Sequence, residues 1–145
     1  MNKADYPIHQ QDFSGILAYK NDNLIKLYAV RESIALSDAA HLFEECKKFL
    51  ALISIIPQPI SPSKQLDSMW HHFILHTHDY AAFCEKFFGK FLHHHPTNQP
   101  YTESRGEMLQ LAKTIFGDID PVIWPTTEVI ACDSSCGGDS YCKGD

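Results

Sequence analysis

Apolar residues recur every three or four positions through most of this chain, which is the spacing of helices that are buried along one face. The firmest case is residues 38–54, DAAHLFEECKKFLALIS, with Ser37 in front as a candidate N-cap and Pro57 beyond the end. Residues 24–30 show mixed helical spacing without turn residues, and a looser helix is predicted over residues 13–19. The first half of the chain is therefore predicted to be helical.

The second half starts after the connector PQPISPS, whose three prolines cannot continue a helix. Residues 63–88 contain no proline or glycine and keep helical spacing, so they form either one long helix or two helices that bend near Thr77, a candidate N-cap. Gly89 is placed to end this run. A further helix is predicted over residues 103–116, with Gly117 directly after it.

The end of the chain differs in composition from the rest. Residues 120–125, DPVIWP, favour an extended segment whose Trp124 packs back onto the helices. Residues 132–145 are rich in Gly, Ser and Asp, a composition that offers little apolar surface to bury. We therefore expect an all-α fold, with one compact domain of four to six helices over residues 1–131 and a flexible, disordered tail containing cysteine and glycine.

Composition and charge limit the classes of function. The chain has 145 residues, 44% of them hydrophobic, which is enough for one core. Its formal net charge of −6 gives no cationic excess for binding phosphate backbones, so nucleic acid is not expected as a partner. The polar N-terminus lacks the apolar stretch of a signal peptide, and residues 49–56 are too few to cross a bilayer. A cytoplasmic protein without a membrane span is expected, and an unidentified protein partner stays open.

The five cysteines fall into two groups. Cys46 and Cys84 lie within helical apolar patterns, where a thiol commonly serves as a small core residue. Cys132, Cys136 and Cys142 lie in the tail, at a spacing that departs from the C-x2-C pairs of zinc ribbons. The tail thiols are candidate soft metal ligands or partners in a redox-labile disulfide, although a disordered tail without a site fits its composition better.

Asp67 and His71 are four residues apart on a predicted helix, so their side chains share one face, next to Trp70. The two side chains could both bind one metal ion, or the carboxylate could orient the imidazole. An ordinary ion pair on the helix surface is the simpler alternative. If the chain bends near Thr77, the loop after it can return His94 to the same face. We expect His71 and His94 to approach each other, with Asp67 within hydrogen-bonding reach of one of them and the Asp67 helix at the centre of the fold.

The remaining histidines are expected to be ordinary solvated side chains. His72 and His76 have the spacing of the H-E-x-x-H zinc motif, but Phe73 occupies the position of its glutamate. His72 is also turned about 100° around the helix from His71, so it does not share that site. The same solvated state is expected for His9, His41 and His78.

Residues 67–96, DSMWHHFILHTHDYAAFCEKFFGKFLHHHP, resemble the glycine-rich domain-containing protein-like family, in its small bacterial form. The motif positions that match are Asp67, Trp70, His71, Tyr80, Cys84, Gly89 and His94, together with His93 and Pro96. Phe73 stands where plant members carry a second histidine, which removes any role that needs that imidazole. The resemblance implies no established enzymatic activity, and the acidic charge disfavours the RNA binding proposed for plant members.

Three functions remain open at this point. The first is a binding domain that holds a divalent metal, zinc or iron. Its ligands would be drawn from His71, His94, Asp67 and Cys84. The second is an enzyme in which Asp67 orients His71 as a general base, or His71 activates Cys84 as a nucleophile. The third is a structural or protein-interaction module with a buried polar network of Trp70, Tyr80 and the histidines. No catalytic residue is assigned.

Overall fold

A computed structural model describes residues 13–56, 62–94 and 103–124 of the chain. Within these ranges it contains six helices and no strand, which confirms the all-α prediction. They are α1 (Ser14–Ala18), α2 (Asp22–Glu32), α3 (Leu36–Ile53), α4 (Lys64–Leu75), α5 (Thr77–Phe88) and α6 (Glu103–Phe116). None of the described helices is long and apolar enough to cross a membrane. Several residues considered above lie outside the described ranges: His9, Pro96, Cys132, Cys136 and Cys142.

The centre of the fold is α3, which packs against α1, α2, α4 and α6. Buried residues occur around most of its circumference, including Phe43, Cys46, Leu50 and Ala51, so it has little surface left to expose to water. The expectation that the Asp67 helix would be central was wrong. That helix is α4, and it keeps one solvent-exposed side.

The glycines predicted to end two helices do so, but the serine predicted to cap α3 does not. Gly89 and Gly117 have φ angles of 69° and 76°, in the left-handed region that glycine adopts most easily, and they follow the last residues of α5 and α6. At the start of α3 the N-cap is Ala35, whose side chain makes no capping bond. Ser37 therefore lies inside the helix, and its predicted capping role was wrong.

The run from residue 63 to 88 is two helices rather than one. Ser63 caps α4, its side chain accepting a hydrogen bond from the backbone N–H of Leu66 at 3.2 Å. The helix ends at His76, where φ is −85° and ψ is 69°, and α5 starts at once with Thr77. Thr77 is thus the first helical residue and not the cap. This bend is what allows the chain after α5 to return to α4.

Lys47, although charged, is fully buried on α3 and fastens the end of α1. Its ammonium donates hydrogen bonds to the carbonyls of Leu17 at 2.9 Å and Tyr19 at 2.7 Å. It also lies 3.0 Å from the carboxylate of Glu44. A buried charge is tolerated when its donors are satisfied in this way, so we assign Lys47 a structural role.

Glu45, the second buried charge on α3, fastens the segment after α6. Its Oε1 accepts hydrogen bonds from the backbone N–H of Asp120 and from the indole N–H of Trp124, both at 2.9 Å. Trp124 is buried, as predicted. The predicted extended segment was wrong, because the N–H groups of Ile123 and Trp124 both bond to the Asp120 carbonyl and form a turn.

Polar contacts also join α2 to α4. The ring of His72 lies 5.1 Å from that of Tyr28, measured between centroids, and its Nε2 lies 3.0 Å from the carbonyl oxygen of Leu24. The hydroxyls of Tyr28 and Ser68 are 2.9 Å apart. His72 is only 5% exposed, so the expectation of a solvated side chain was wrong: α2 covers that face of α4. His78 is exposed, as expected.

Burial lowers the pKa of His72 below 6.5, because the charged imidazole would lose its hydration. The folded protein then binds fewer protons at this site than the unfolded chain, so stability is lost as the pH falls below about 6.5. We expect urea unfolding to show this loss between about pH 7 and 5 in the wild type, and a smaller loss in His72→Gln. The exposed control His78→Gln should behave like the wild type; equal pH dependence in both variants would contradict the assignment.

Candidate functional site

The structure brings Asp67, His71 and His94 together, although His94 lies beyond the end of α5. Asp67 is in the first turn of α4, and its Oδ1 is 2.5 Å from Nε2 of His94. His71 lies one turn further along α4, and its ring centroid is 5.3 Å from that of His94. Asp67 therefore pairs with the histidine from the distant segment, while His71 is exposed beside the pair.

Residues 91–94, which follow the turn at Gly89, are called the strap. Its side chains alternate as those of an extended chain do: Leu92 is buried and the His94 side chain is only 11% exposed, whereas Phe91 and His93 are exposed. The two outward rings contact each other, with centroids 4.8 Å apart. The strap thus has an inner side that packs on the helices and an outer side with two aromatic rings.

Buried hydrogen bonds tie the strap to α4 and α5. The indole N–H of Trp70 on α4 donates to the hydroxyl of Tyr80 on α5 at 2.9 Å. That hydroxyl donates in turn to the carbonyl of Leu92 at 2.5 Å. Trp70 is 4% exposed, which confirms its predicted burial, and its ring lies 4.4 Å from that of His94 between centroids. One continuous network therefore connects two helices and the strap.

The network contains protonated, unreactive groups. Burial raises the pKa of the Tyr80 hydroxyl, so it keeps the proton that it donates to Leu92. Burial also raises the pKa of the Cys84 thiol, which is completely enclosed in the core. The thiolate is the form that attacks substrates and binds metals, and this environment disfavours it. These properties argue against Cys84 as a nucleophile or ligand.

His94 keeps one nitrogen in the interior. Nε2 faces Asp67, while Nδ1 is buried and has no hydrogen-bond partner among the described residues. An imidazole that acts as a general base must present a nitrogen to the substrate. Neither nitrogen of His94 does so here, because one is engaged by the carboxylate and the other is enclosed. His71 is the imidazole of this pair that solvent can reach.

The predicted metal centre is not formed by the part of the chain that the structure describes. There, no group of three or more His, Cys, Asp and Glu side chains is arranged to hold a metal ion. Asp67 and His94 instead bond directly to each other. Metal binding through His71, His94, Asp67 and Cys84 stays a prediction, and the tail thiols lie outside the described ranges.

Two features of the site escaped sequence reasoning. The acceptor for Tyr80 is the backbone carbonyl of Leu92, and a backbone group leaves no residue-type signal in a sequence. The second is the burial of His72, which depends on α2 covering that side of α4. The unbroken helical spacing of Leu24 and Tyr28 was the signal that a second helix had a face to bury.

Comparison with known proteins places the chain in a family. A family model described as UCP032817-like matches residues 9–109, which include the strap and all of α1 to α5. No curated protein and no solved structure gave a significant match. The resemblance to glycine-rich domain-containing proteins was therefore wrong, because the residues that carried it lie inside the region matched by another family.

Removing the Tyr80 hydroxyl tests the network. Tyr80→Phe keeps the ring but leaves the Trp70 indole N–H and the Leu92 carbonyl without their described partner. Urea unfolding should show a loss of about 1–3 kcal/mol, the cost of unpaired buried polar groups. The control Tyr28→Phe, whose hydroxyl is only partly buried against Ser68, should lose less. Equal losses would show that the network does not stabilise the site.

Proposed function

This chain belongs to the UCP032817-like family, and we propose that it is a non-catalytic domain that binds another protein through the outer side of the strap. The observation that carries the proposal is the buried, unpaired Nδ1 of His94. It means that the His94 ring is turned toward the helices, where its bond to the partly exposed Asp67 carboxylate holds the strap in place. On the outer side of the strap, the Phe91 side chain is then exposed for contact.

The enzyme alternative has less support from this geometry. The Asp67 carboxylate bonds to His94 and so is placed to orient that ring, whereas the alternative needed it to orient His71. The nucleophile alternative needs a reactive Cys84, but this thiol is completely buried and its pKa is raised. A buried polar network that is paired through most of its length is the pattern of a structural centre.

The outer side of the strap has the chemistry of a protein contact. Phe91 is 45% exposed. Its ring centroid lies 5.2 Å from that of Tyr80 and 4.8 Å from that of His93. Because these two rings restrict the Phe91 side chain, binding would cost it little conformational entropy. Exposed lysines, Lys86 and Lys90, lie just before the strap in sequence. A protein segment with an apolar side chain flanked by acidic ones would complement this surface.

Site-specific photo-crosslinking tests this function. A photoreactive phenylalanine analogue at Phe91 should give a discrete protein adduct in cells that express the chain natively. The same analogue at Val122, which is 80% exposed on another segment, is the matched control and should give none. His94→Ala should weaken the adduct at position 91 in protein that is still helical by circular dichroism. No adduct above the Val122 level, or an adduct indifferent to His94→Ala, would refute the proposal.

A divalent metal, zinc or iron, is a second candidate because of one distance. Two imidazoles that share one ion through ~2 Å bonds have ring centres about 5 Å apart in tetrahedral geometry. The centroids of His71 and His94 are 5.3 Å apart. Such an ion would have to replace the direct Asp67–His94 hydrogen bond, since that bond occupies Nε2. Zinc titration of the full chain, followed by nuclear magnetic resonance of the histidine rings, tests this candidate through the shifts of His71 and His94.

A further inference from the structure

We propose that His72 and His76 form a separate chelating pair for a divalent transition-metal ion, at the junction of α4 and α5. Their ring centroids are 4.8 Å apart and the ring planes are inclined by 58°. This pair belongs neither to the strap nor to the Asp67–His94 centre. The inference therefore does not depend on the proposed function.

The hydrogen bond of His72 prepares its other nitrogen for a metal. The Leu24 carbonyl, 3.0 Å from Nε2, can only accept a hydrogen bond, so Nε2 carries the proton. In the neutral ring the lone pair is then on Nδ1. Metal-binding histidines characteristically donate their second N–H to a carboxylate or a backbone carbonyl, which fixes the tautomer and the ring orientation. His72 already has this arrangement.

The two imidazoles differ in their access to solvent. His72 is buried and only 5% exposed. His76 is half-buried, which leaves solvent access from its side of the pair. The pair therefore combines one preset, enclosed ligand with one that is reachable.

The pair lies where α4 ends and α5 begins. His72 lies in the last turn of α4 and His76 is its C-cap residue. The final carbonyls of α4 carry a partial negative charge, and the first N–H groups of α5 beside them carry a partial positive charge, so the two helix ends offset each other. Arg31 opposes a cation near His72, but it is bonded to the carboxylate of Glu32 at 3.1 Å, which offsets its charge.

Two imidazoles leave coordination positions open. The described residues supply no third His, Cys, Asp or Glu for a closed site, so water or an added ligand would complete the coordination of the ion. Ions that accept imidazole readily, such as Zn²⁺ and Cu²⁺, fit this donor set best, and Cu²⁺ is the stronger binder in the usual order of divalent metals. The pair is an open, exchangeable site and not a structural one.

Nuclear magnetic resonance of the histidine rings in the full chain tests the pair directly. Zn²⁺ added at pH 7 should shift the ring nitrogens of His72 and His76 together. His76→Ala should weaken zinc binding at His72 by about tenfold or more, because one of two chelating groups is lost. The matched control His78→Ala removes an exposed histidine two positions away and should leave the shifts unchanged.

His72 itself is not replaced in this experiment, because its burial makes unfolding a competing explanation. The proposal fails if neither ring responds up to about 1 mM Zn²⁺ in folded protein, which is too weak for a specific site. It also fails if His76→Ala binds zinc at His72 as well as the wild type does. Shifts confined to His71 and His94 would refute the pair while supporting the second candidate function.

Discussion

The hydrogen bond between Asp67 and His94 is the contact on which the arrangement of the site depends. It joins the first turn of α4 to the strap, across 27 residues of sequence. Fixing two distant segments costs conformational entropy, which a single partly exposed bond would hardly offset. The buried bonds through Tyr80 and the packing of the Trp70 ring on His94 act with it. Together they hold the inner side of the strap, formed by Leu92 and His94. The outer side takes no part in these contacts.

Helix periodicity predicted the elements better than their arrangement. Apolar spacing located the helices, and the positive φ of Gly89 and Gly117 explains why those two ends were predictable. Spacing does not show how many neighbours a helix has. The central position of α3 follows from buried residues around most of its circumference, whereas α4, with its conspicuous tryptophan and histidines, retains a solvent-exposed side.

The approach of His94 to Asp67 and His71 could be predicted from the sequence, because it requires only a bend between α4 and α5. The break at His76 brings His94 back to the Asp67 and His71 face, as the position of Thr77 suggested. Which nitrogen of His94 faces inward could not be predicted, because it depends on the path of the strap. The polar character of His72 suggested solvent, yet α2 supplies both a carbonyl and an aromatic ring to cover it. The family resemblance, carried mainly by residues 67–96, was wrong because the model that matches residues 9–109 is that of another family.

The most direct test of this account is a double-mutant cycle on Asp67 and His94, measured by urea unfolding of Asp67→Asn, His94→Gln and the double variant. If the pair holds the strap, the two changes should be non-additive by about 0.5–2 kcal/mol, because the second substitution removes a contact that the first has already broken. Additive losses would mean that the two side chains stabilise the fold independently. In that case the strap would be held by other contacts, and its inward-facing histidine would no longer support a binding function.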